Sequence, residues 1–130
     1  MDKEVVEVPV VSDLIRKAGV PLSPVVRANG FVFVSGLPGI DLASGKIVDG
    51  GIEDQAEASL AALKHALEAA GSSMEKVVKA TVYVSNAARF AKVNRVYARH
   101  FPDRPPARTF VAVGSWPLEF DIEIECVALA

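Results

Sequence analysis

Residues that would define several large classes of protein are scarce in this sequence. Its one cysteine, Cys126, excludes a disulfide within the chain, and its apolar neighbours predict a buried, unreactive thiol. Aromatic residues make up only 7% of the chain, and its 14 basic residues are scattered and outnumbered by 16 acidic ones. Surfaces that bind nucleic acid need clustered positive charge, so we expect no nucleic-acid partner.

Long apolar runs are also missing. No stretch approaches the length needed to cross a membrane, and the charged residues Asp2, Lys3 and Glu4 are unlike the core of a signal peptide. We therefore expect a cytoplasmic protein that has no membrane partner. The sequence contains no Cys–His constellation, glycine-rich phosphate loop or nucleophile elbow, so no metal site is predicted.

What is present is enough apolar sequence for one core. Hydrophobic residues make up 51% of the 130 residues, which suits a single compact domain, predicted over residues 1–130. Asn29-Gly30 between two β-rich runs predicts a tight hairpin. A nearly continuous run of β-formers over 77–85 predicts an interior strand, and residues 5–11, interrupted by Pro9, predict an edge strand.

Helical periodicity is clearest in two segments. Apolar residues recur every three or four positions from Ile52 to Ala70, before Gly71, and again from Phe90 to Phe101, before Pro102. A short helical turn is predicted over 14–18. This order of elements predicts an α+β fold in which two helices pack on one face of a mixed sheet.

The other face of that sheet has no predicted cover. Alternating apolar residues, such as Val32 with Val34 or Val111 with Val113, are expected to point to it. Because large exposed apolar patches are rare on monomers, we expect a homo-oligomer that buries this face.

Two alternating runs near the C-terminus carry charge where sheets rarely have it. In the first, Arg108 shares a face with Phe110, and in the second Asp121, Glu123 and Glu125 share a face. An arginine and a glutamate there could clamp a carboxylate beside a general acid or base. The alternative, which the residue pattern alone favours, is a structural cross-strand ion pair on a solvated face.

Two further segments have either a structural or a ligand-binding interpretation. Gly36, Pro38 and Gly39 form a loop in which the backbone could approach a ligand closely, or a plain turn. Asn94 could contact a ligand or brace a neighbouring loop, and its residue type alone favours the structural role.

Several short segments together form a more specific signature through their order and spacing. They are Phe31-Val32-Phe33-Val34-Ser35-Gly36, the loop ending in Gly45, Gln55, Ala70-Gly71, residues 77–84 and 90–97, Pro106-Ala107-Arg108-Thr109 and Ile122-Glu123-Ile124-Glu125. On these segments the sequence resembles the RidA family of reactive-intermediate imine deaminases, also called the YjgF/YER057c/UK114 family. The resemblance covers about residues 21–130, and residues 1–20 form a divergent N-terminal segment.

The resemblance implies a chorismate-mutase-like α+β fold that assembles as a homotrimer, with ligand pockets in the clefts between neighbouring subunits. Members of the family hydrolyse 2-imino and enamine acids, such as 2-aminoacrylate, to 2-keto acids and ammonia. They do so without a metal or an organic cofactor. The implied partner is therefore a small imino or enamino acid.

The resemblance also implies roles for individual residues. Arg108 would grip the substrate carboxylate, and Glu123 would position or deprotonate the attacking water. Adjacent C-terminal strands would bring both side chains to a single cleft. The other implied substrate-binding positions are Ser35, Gly36, Asn94 and the main chain of Phe110.

Two positions depart from the pattern of the family. Leu22 stands where the family commonly has tyrosine, and Leu37 stands where it commonly has glutamine. Both replacements would add apolar surface at the mouth of the pocket, so Leu22 and Leu37 join the predicted substrate-binding residues. We expect a substrate bulkier or more apolar than 2-aminoacrylate, or an aminomuconate-type intermediate.

Two other functions fit parts of the sequence. A non-catalytic trimer could hold a small carboxylate in the same clefts to regulate a partner, with Glu123 as a structural acceptor. A ribonuclease activity has been attached to some members of the family. A net charge of −2 and sparse aromatic residues give that activity little support in this chain.

Overall fold

We describe residues 2–130 from a computed structural model of the chain. The alternating and helical patterns of the sequence form a mixed sheet with helices packed on it. Within that range the chain forms eight strands and three α-helices. The strands are β1 (Glu4–Val6), β2 (Val25–Ala28), β3 (Phe31–Leu37), β4 (Ile40–Asp41), β5 (Lys46–Ile47), β6 (Val77–Val84), β7 (Ala107–Ala112) and β8 (Ile122–Leu129). The helices are α1 (Val11–Ala18), α2 (Ile52–Ala69) and α3 (Phe90–His100).

Six strands form one sheet in the order β1-β2-β3-β8-β6-β7, and β4 pairs with β5 in a separate ribbon. All neighbours in the large sheet are antiparallel except β6 and β7, which are parallel because α3 crosses between them. The predicted interior position of β6 and edge position of β1 are confirmed. The expectation that the two C-terminal strands are adjacent is wrong, since β6 lies between β7 and β8.

The predicted hairpin joins β2 to β3. Asn29 and Gly30 have φ angles of 51° and 81°, the left-handed conformation that a two-residue hairpin turn requires. The pairing of Ala28 with Phe31 then sets the register of both strands. The hairpin therefore decides which side chains of β3 point toward the helices.

The N-terminal segment forms a third helix where only a helical turn was expected. The backbone N–H of Val8 donates to the Ser12 hydroxyl at 2.8 Å, which turns the chain from β1 into α1. Val8 and Val11 are fully buried rather than paired in a strand. The predicted strand over residues 5–11 therefore ends at Val6, and α1 begins before its predicted start.

Helices α2 and α3 contact each other and cover one face of the sheet. The predicted apolar stripe of α2 is buried against the alternate residues of β8 that begin with Ile122 and Ile124. The opposite face, here called the open face, carries Phe31 and Phe33, which are 37% and 45% exposed. The expectation for Val32 and Val34 is wrong, because the hairpin register turns both toward the helices, where they are buried.

The remaining sequence predictions concern groups away from the site. Cys126 is buried as expected, and its burial raises the pKa of the thiol to about 12. No helix within residues 2–130 is long and apolar enough to cross a membrane. In the same part of the chain, no cluster of three or more histidine, cysteine, aspartate or glutamate side chains could hold a metal ion.

Candidate functional site

Arg108 lies on the edge strand β7 and on the helix side of the sheet. It pairs with Ala80 of β6, whose side chain is fully buried beneath the helices. Its guanidinium carbon Cζ lies 4.8 Å from the ring centroid of Tyr97, 5.7 Å from that of Phe90 and 5.8 Å from that of Phe110. None of the ion pairs between described residues includes Arg108. Its charge is therefore available to an external carboxylate.

Helix α3 supplies most of the surroundings of this arginine. Phe90, Asn94 and Tyr97 are spaced by four and three residues, so they share one face of the helix. Phe90 also packs edge-on against Phe110, with centroids 4.9 Å apart and planes at 87°. We call Phe90, Asn94, Tyr97, Arg108 and Phe110 the arginine cluster. It unites three residues predicted for the site with two aromatic residues that were not predicted.

Two polar atoms of the arginine cluster are buried without a hydrogen-bond partner among residues 2–130. They are Oδ1 of Asn94 and the hydroxyl of Tyr97. Burial raises the pKa of Tyr97 to about 12, against the opposing effect of the Arg108 charge. Tyr97 is therefore neutral at physiological pH.

Glu123 lies on β8 close to an irregularity in β3. Val34 pairs with Cys126 and Leu37 with Ile124, so β3 places two residues, Ser35 and Gly36, where β8 has only Glu125. A Cβ atom at position 36 would lie 2.9 Å from Oε1 of Glu123. The bulge and the absent side chain of Gly36 therefore make room for the carboxylate.

The surroundings of Glu123 favour its protonated form more than water does. Burial raises its pKa, a hydrogen bond from Trp116 opposes this effect, and the charge of Glu125 adds to the increase. A carboxylate with a raised pKa can accept a proton from water and return it later. We call Ser35, Gly36, Trp116 and Glu123 the glutamate cluster.

Ser35 holds the linker that precedes β2 against the glutamate cluster. Its hydroxyl donates to the carbonyl oxygen of Ser23 at 2.7 Å, and its backbone N–H donates to that of Pro24 at 2.9 Å. Leu22, the residue before Ser23, is 44% exposed. The structure thus leaves the predicted apolar side chain of Leu22 free to contact a ligand or a second chain.

Leu37 requires a correction. Its side chain is only 2% exposed and belongs to the core, so it cannot add apolar surface at the mouth of a pocket. The cause is the bulge, since one extra residue at Ser35-Gly36 turns the next side chain to the other face.

Arg108 and Glu123 lie on opposite faces of the sheet. Arg108 is level with Ala80, which faces the helices, and Glu123 is level with Tyr83, which faces away from them. Since neighbouring residues of β6 alternate between faces, one chain cannot direct both side chains into one cleft. The single cleft expected from adjacent strands is therefore wrong for an isolated chain.

Asp121, the residue that precedes β8, has a structural role. This role distinguishes it from Glu123 and Glu125. Its Oδ2 accepts from Nε2 of Gln55 at 3.0 Å, and its Oδ1 accepts from the hydroxyl of Ser85 at 3.0 Å. Its backbone N–H donates to Oε1 of Gln55 at 2.8 Å. These contacts fasten the start of β8 to α2 and to the end of β6.

Two clefts among residues 2–130 lie near these clusters without enclosing either charged group. A cleft of about 490 Å³ is lined by Trp116, Asp121 and Gln55 among others. A cleft of about 510 Å³ lies between His100 and Ala107. Neither includes Arg108 or Glu123 in its lining, so neither forms a complete site around the charged pair.

Sequence reasoning missed Phe90, Tyr97 and Trp116. The first two were detectable, because they stand four residues before and three residues after Asn94 and must share its helix face. The proximity of Trp116 to Glu123 depends on the loop between β7 and β8. No periodic pattern indicates where such a loop folds.

Comparisons with known proteins agree with this architecture. The model of the family described as Endoribonuclease L-PSP matches residues 15–130. The Reactive Intermediate Deaminase A of Arabidopsis thaliana, a chloroplastic protein, is 41% identical over 108 residues, which are 83% of this chain and 58% of that protein.

Two solved structures extend the likeness. YyfA of Yersinia pestis, a member of the conserved Rid protein family, is 30% identical with a TM-score of 0.89 and covers 99% of this chain and 100% of its own. Escherichia coli TdcF, solved with bound serine, is 32% identical with a TM-score of 0.79 and covers 85% of this chain and 88% of its own.

Proposed function

Because this chain belongs to the RidA (YjgF/YER057c/UK114) family, we propose that it hydrolyses reactive 2-imino and enamine acids to 2-keto acids and ammonia. The observation that carries this proposal is Arg108, a cation surrounded by aromatic rings and without a carboxylate partner among residues 2–130. Glu123, whose pKa is raised by burial, supplies the group that exchanges protons with water.

In this proposal Arg108 binds the substrate carboxylate. A guanidinium presents two parallel N–H groups to the two oxygens of a carboxylate, which fixes the plane of the substrate as well as its position. The apolar rings around Arg108 exclude water from its faces, so the charge attracts a carboxylate more strongly. Asn94 and the main chain of Phe110 lie in the same cluster and complete the binding site for the substrate.

Glu123 acts on the water. It removes a proton while the water oxygen forms a bond to the imine carbon, and a proton then reaches the nitrogen. The carbon–nitrogen bond breaks, so one water enters and one keto acid and one ammonia leave. A protonated imine carbon is already electrophilic, hence positioning and proton transfer are sufficient catalysis. Gly36 and Ser35 border the carboxylate that does this.

Assembly is part of the proposal. Arg108 and Glu123 face opposite sides of one sheet, so a site that contains both needs two copies of the chain. The exposed Phe31 and Phe33 on the open face supply an apolar surface that a second copy can cover. We propose a homotrimer in which the arginine cluster of one subunit meets the glutamate cluster of the next.

The apolar side chains around the two clusters also bear on the class of substrate. Phe90 and Phe110 form an apolar wall beside Arg108, and Leu22 lies exposed near the glutamate cluster. We propose a substrate bulkier than 2-aminoacrylate, either a large 2-imino acid or an aminomuconate-type intermediate. This proposal no longer draws on Leu37.

A second function rests on the arginine cluster alone. A trimer that only binds a small carboxylate and regulates a partner needs Arg108 and no proton transfer. The two functions differ at Glu123, which is catalytic in the first and a structural acceptor in the second.

The deciding experiment compares wild type with E123Q on imines that an amino-acid oxidase generates from alanine, leucine, methionine and phenylalanine. We expect wild type to accelerate release of the keto acid, and E123Q to lower kcat by about 10²-fold or more while carboxylate binding is retained. If wild type binds carboxylates but hydrolyses none of these imines, the hydrolytic function is excluded and the binding function is supported. Preference for the alanine imine would exclude the bulky substrate.

A further inference from the structure

We propose that Tyr97 is a positioning residue that holds the Arg108 guanidinium against the face of its ring, ready for a carboxylate. The effect of Tyr97 on catalysis rests on the function proposed above, whereas the contact between its ring and Arg108 does not. Of the three rings near Arg108, that of Tyr97 is nearest, with its centroid 4.8 Å from Cζ.

The environment explains why the arginine needs such support. Arg108 stands on an edge strand and has no ion pair with another described residue, so no countercharge fixes its long side chain. An aromatic face attracts a cation without neutralising it. It therefore restrains the guanidinium plane and leaves the edge N–H groups for the ligand, which lowers the entropic cost of binding.

Tyr97 is itself rigidly placed. Its side chain is 6% exposed and its ring packs on that of Phe101, with centroids 4.7 Å apart. Its hydroxyl has no hydrogen-bond partner among the described residues, so no polar contact accounts for the tyrosine. The ring face toward Arg108 is the functional part of the side chain in our proposal, and the hydroxyl is dispensable.

Three variants separate positioning from packing. Tyr97→Phe keeps the ring, Tyr97→Leu removes it, and Phe101→Leu removes a neighbouring buried ring that is not over Arg108. The first readout is the Nε–H resonance of Arg108 in ¹H–¹⁵N NMR spectra of the intact protein, assigned by its disappearance in R108K. We expect the same ring-current shift in wild type, Y97F and F101L, and a clearly smaller one in Y97L, where only the more distant rings of Phe90 and Phe110 remain.

The second readout is binding. For Y97L we expect about a ten-fold increase in KM for the imine with kcat within about two-fold, because the carboxylate contact is equally present in the ground and transition states. Y97F and F101L should keep the wild-type KM. If wild type hydrolyses no imine, the proposed function fails, and the Kd for benzoate replaces KM in the same comparison.

An unchanged Arg108 resonance in Y97L would overturn the proposal, whatever the activity of wild type. Equal increases in KM or Kd for Y97L and F101L would also overturn it, since general loosening of the core would then explain both. Should Y97L fail to fold by circular dichroism, Tyr97→Met, whose unbranched and flexible side chain adapts better to an irregular space, carries the same expectations.

Discussion

On one face of the sheet three aromatic rings surround Arg108, and on the other a strand bulge and a glycine make room for Glu123. The arginine is placed by side chains of α3 and β7, which can change one at a time without moving the backbone. The glutamate is placed by the backbone of β3, where a single added methyl group would collide with it. The two halves of the proposed site should therefore respond differently to substitution.

The electrostatic settings differ as well. Three aromatic rings surround Arg108, and no carboxylate among residues 2–130 pairs with it, which suits a group that binds an anion. Glu123 is partly desolvated beside Glu125, and the resulting rise of its pKa suits a group that gains and loses a proton. In the proposed function, the sheet thus separates the group that binds the substrate from the group that transfers protons. It also prevents them from forming an internal ion pair that would exclude the substrate.

The separation of the two clusters predicts complementation between inactive variants. R108A and E123Q should each lose about 10²-fold or more in kcat/KM, because each lacks one charged group of the site. When equal amounts are denatured together, refolded and allowed to assemble, activity should recover to about a quarter of wild type. In a closed ring with random assembly, one inter-subunit site in four receives both intact residues.

The control for this experiment is each variant refolded alone, which should remain inactive. A double variant, R108A with E123Q on the same chain, mixed with R108A should also stay inactive, because no chain then supplies Arg108. Failure of the R108A and E123Q mixture to recover activity, although mixed trimers are present, would show that the site does not combine the two faces.

A smaller effect is expected from Gly36→Ala, which tests the glutamate cluster alone. The added Cβ would lie 2.9 Å from Oε1 of Glu123, so the carboxylate must move. We expect kcat to fall roughly ten-fold while KM and carboxylate binding stay near wild type, since a displaced reacting group costs rate without weakening the grip.

Gly114→Ala is the matched control for this substitution. Gly114 lies in the loop after β7, and a Cβ there would meet no atom within 4 Å. Kinetics of G114A should therefore equal those of wild type. Equal rates for G36A and wild type would mean that the position of Glu123 does not limit the reaction.

Much of this arrangement follows from local sequence patterns. The turn at Asn29-Gly30, the apolar stripe of α2 and the alternation of β8 each depend on neighbouring residues, and each is present as predicted. Alternation also grouped Arg108 with Phe110 and Glu123 with Glu125 as predicted, but not Asp121, which precedes β8 and bonds to Gln55 of α2. Apart from the N-terminal segment, the failed expectations concern how strands meet and in which register, which no local period encodes.

Strand order is the clearest example. Residues 107–112 and 122–129 are consecutive strands, yet β6 lies between them because the connection through α3 pairs β6 with β7 in parallel. The bulge is the second example. It reverses the direction of Leu37 and opens space at Gly36, and the sequence shows only a glycine that could equally have formed a plain turn.

The smallest expected effect is on stability and concerns the raised pKa of Glu123. Folding favours its protonated form, so this contribution to stability is full below the ordinary pKa of about 4.5 and is lost as pH rises through the raised value in the folded chain. E123Q cannot ionise and should not show this loss. At pH 7 to 8 its melting temperature should exceed that of wild type by only about 2 °C, because half-exposed groups contribute little. The difference should vanish near pH 4. A lower melting temperature for E123Q across the whole range would indicate that Glu123 stabilises the fold as a paired carboxylate, in contrast to Arg108, which has no ion-pair partner in the described part of the chain.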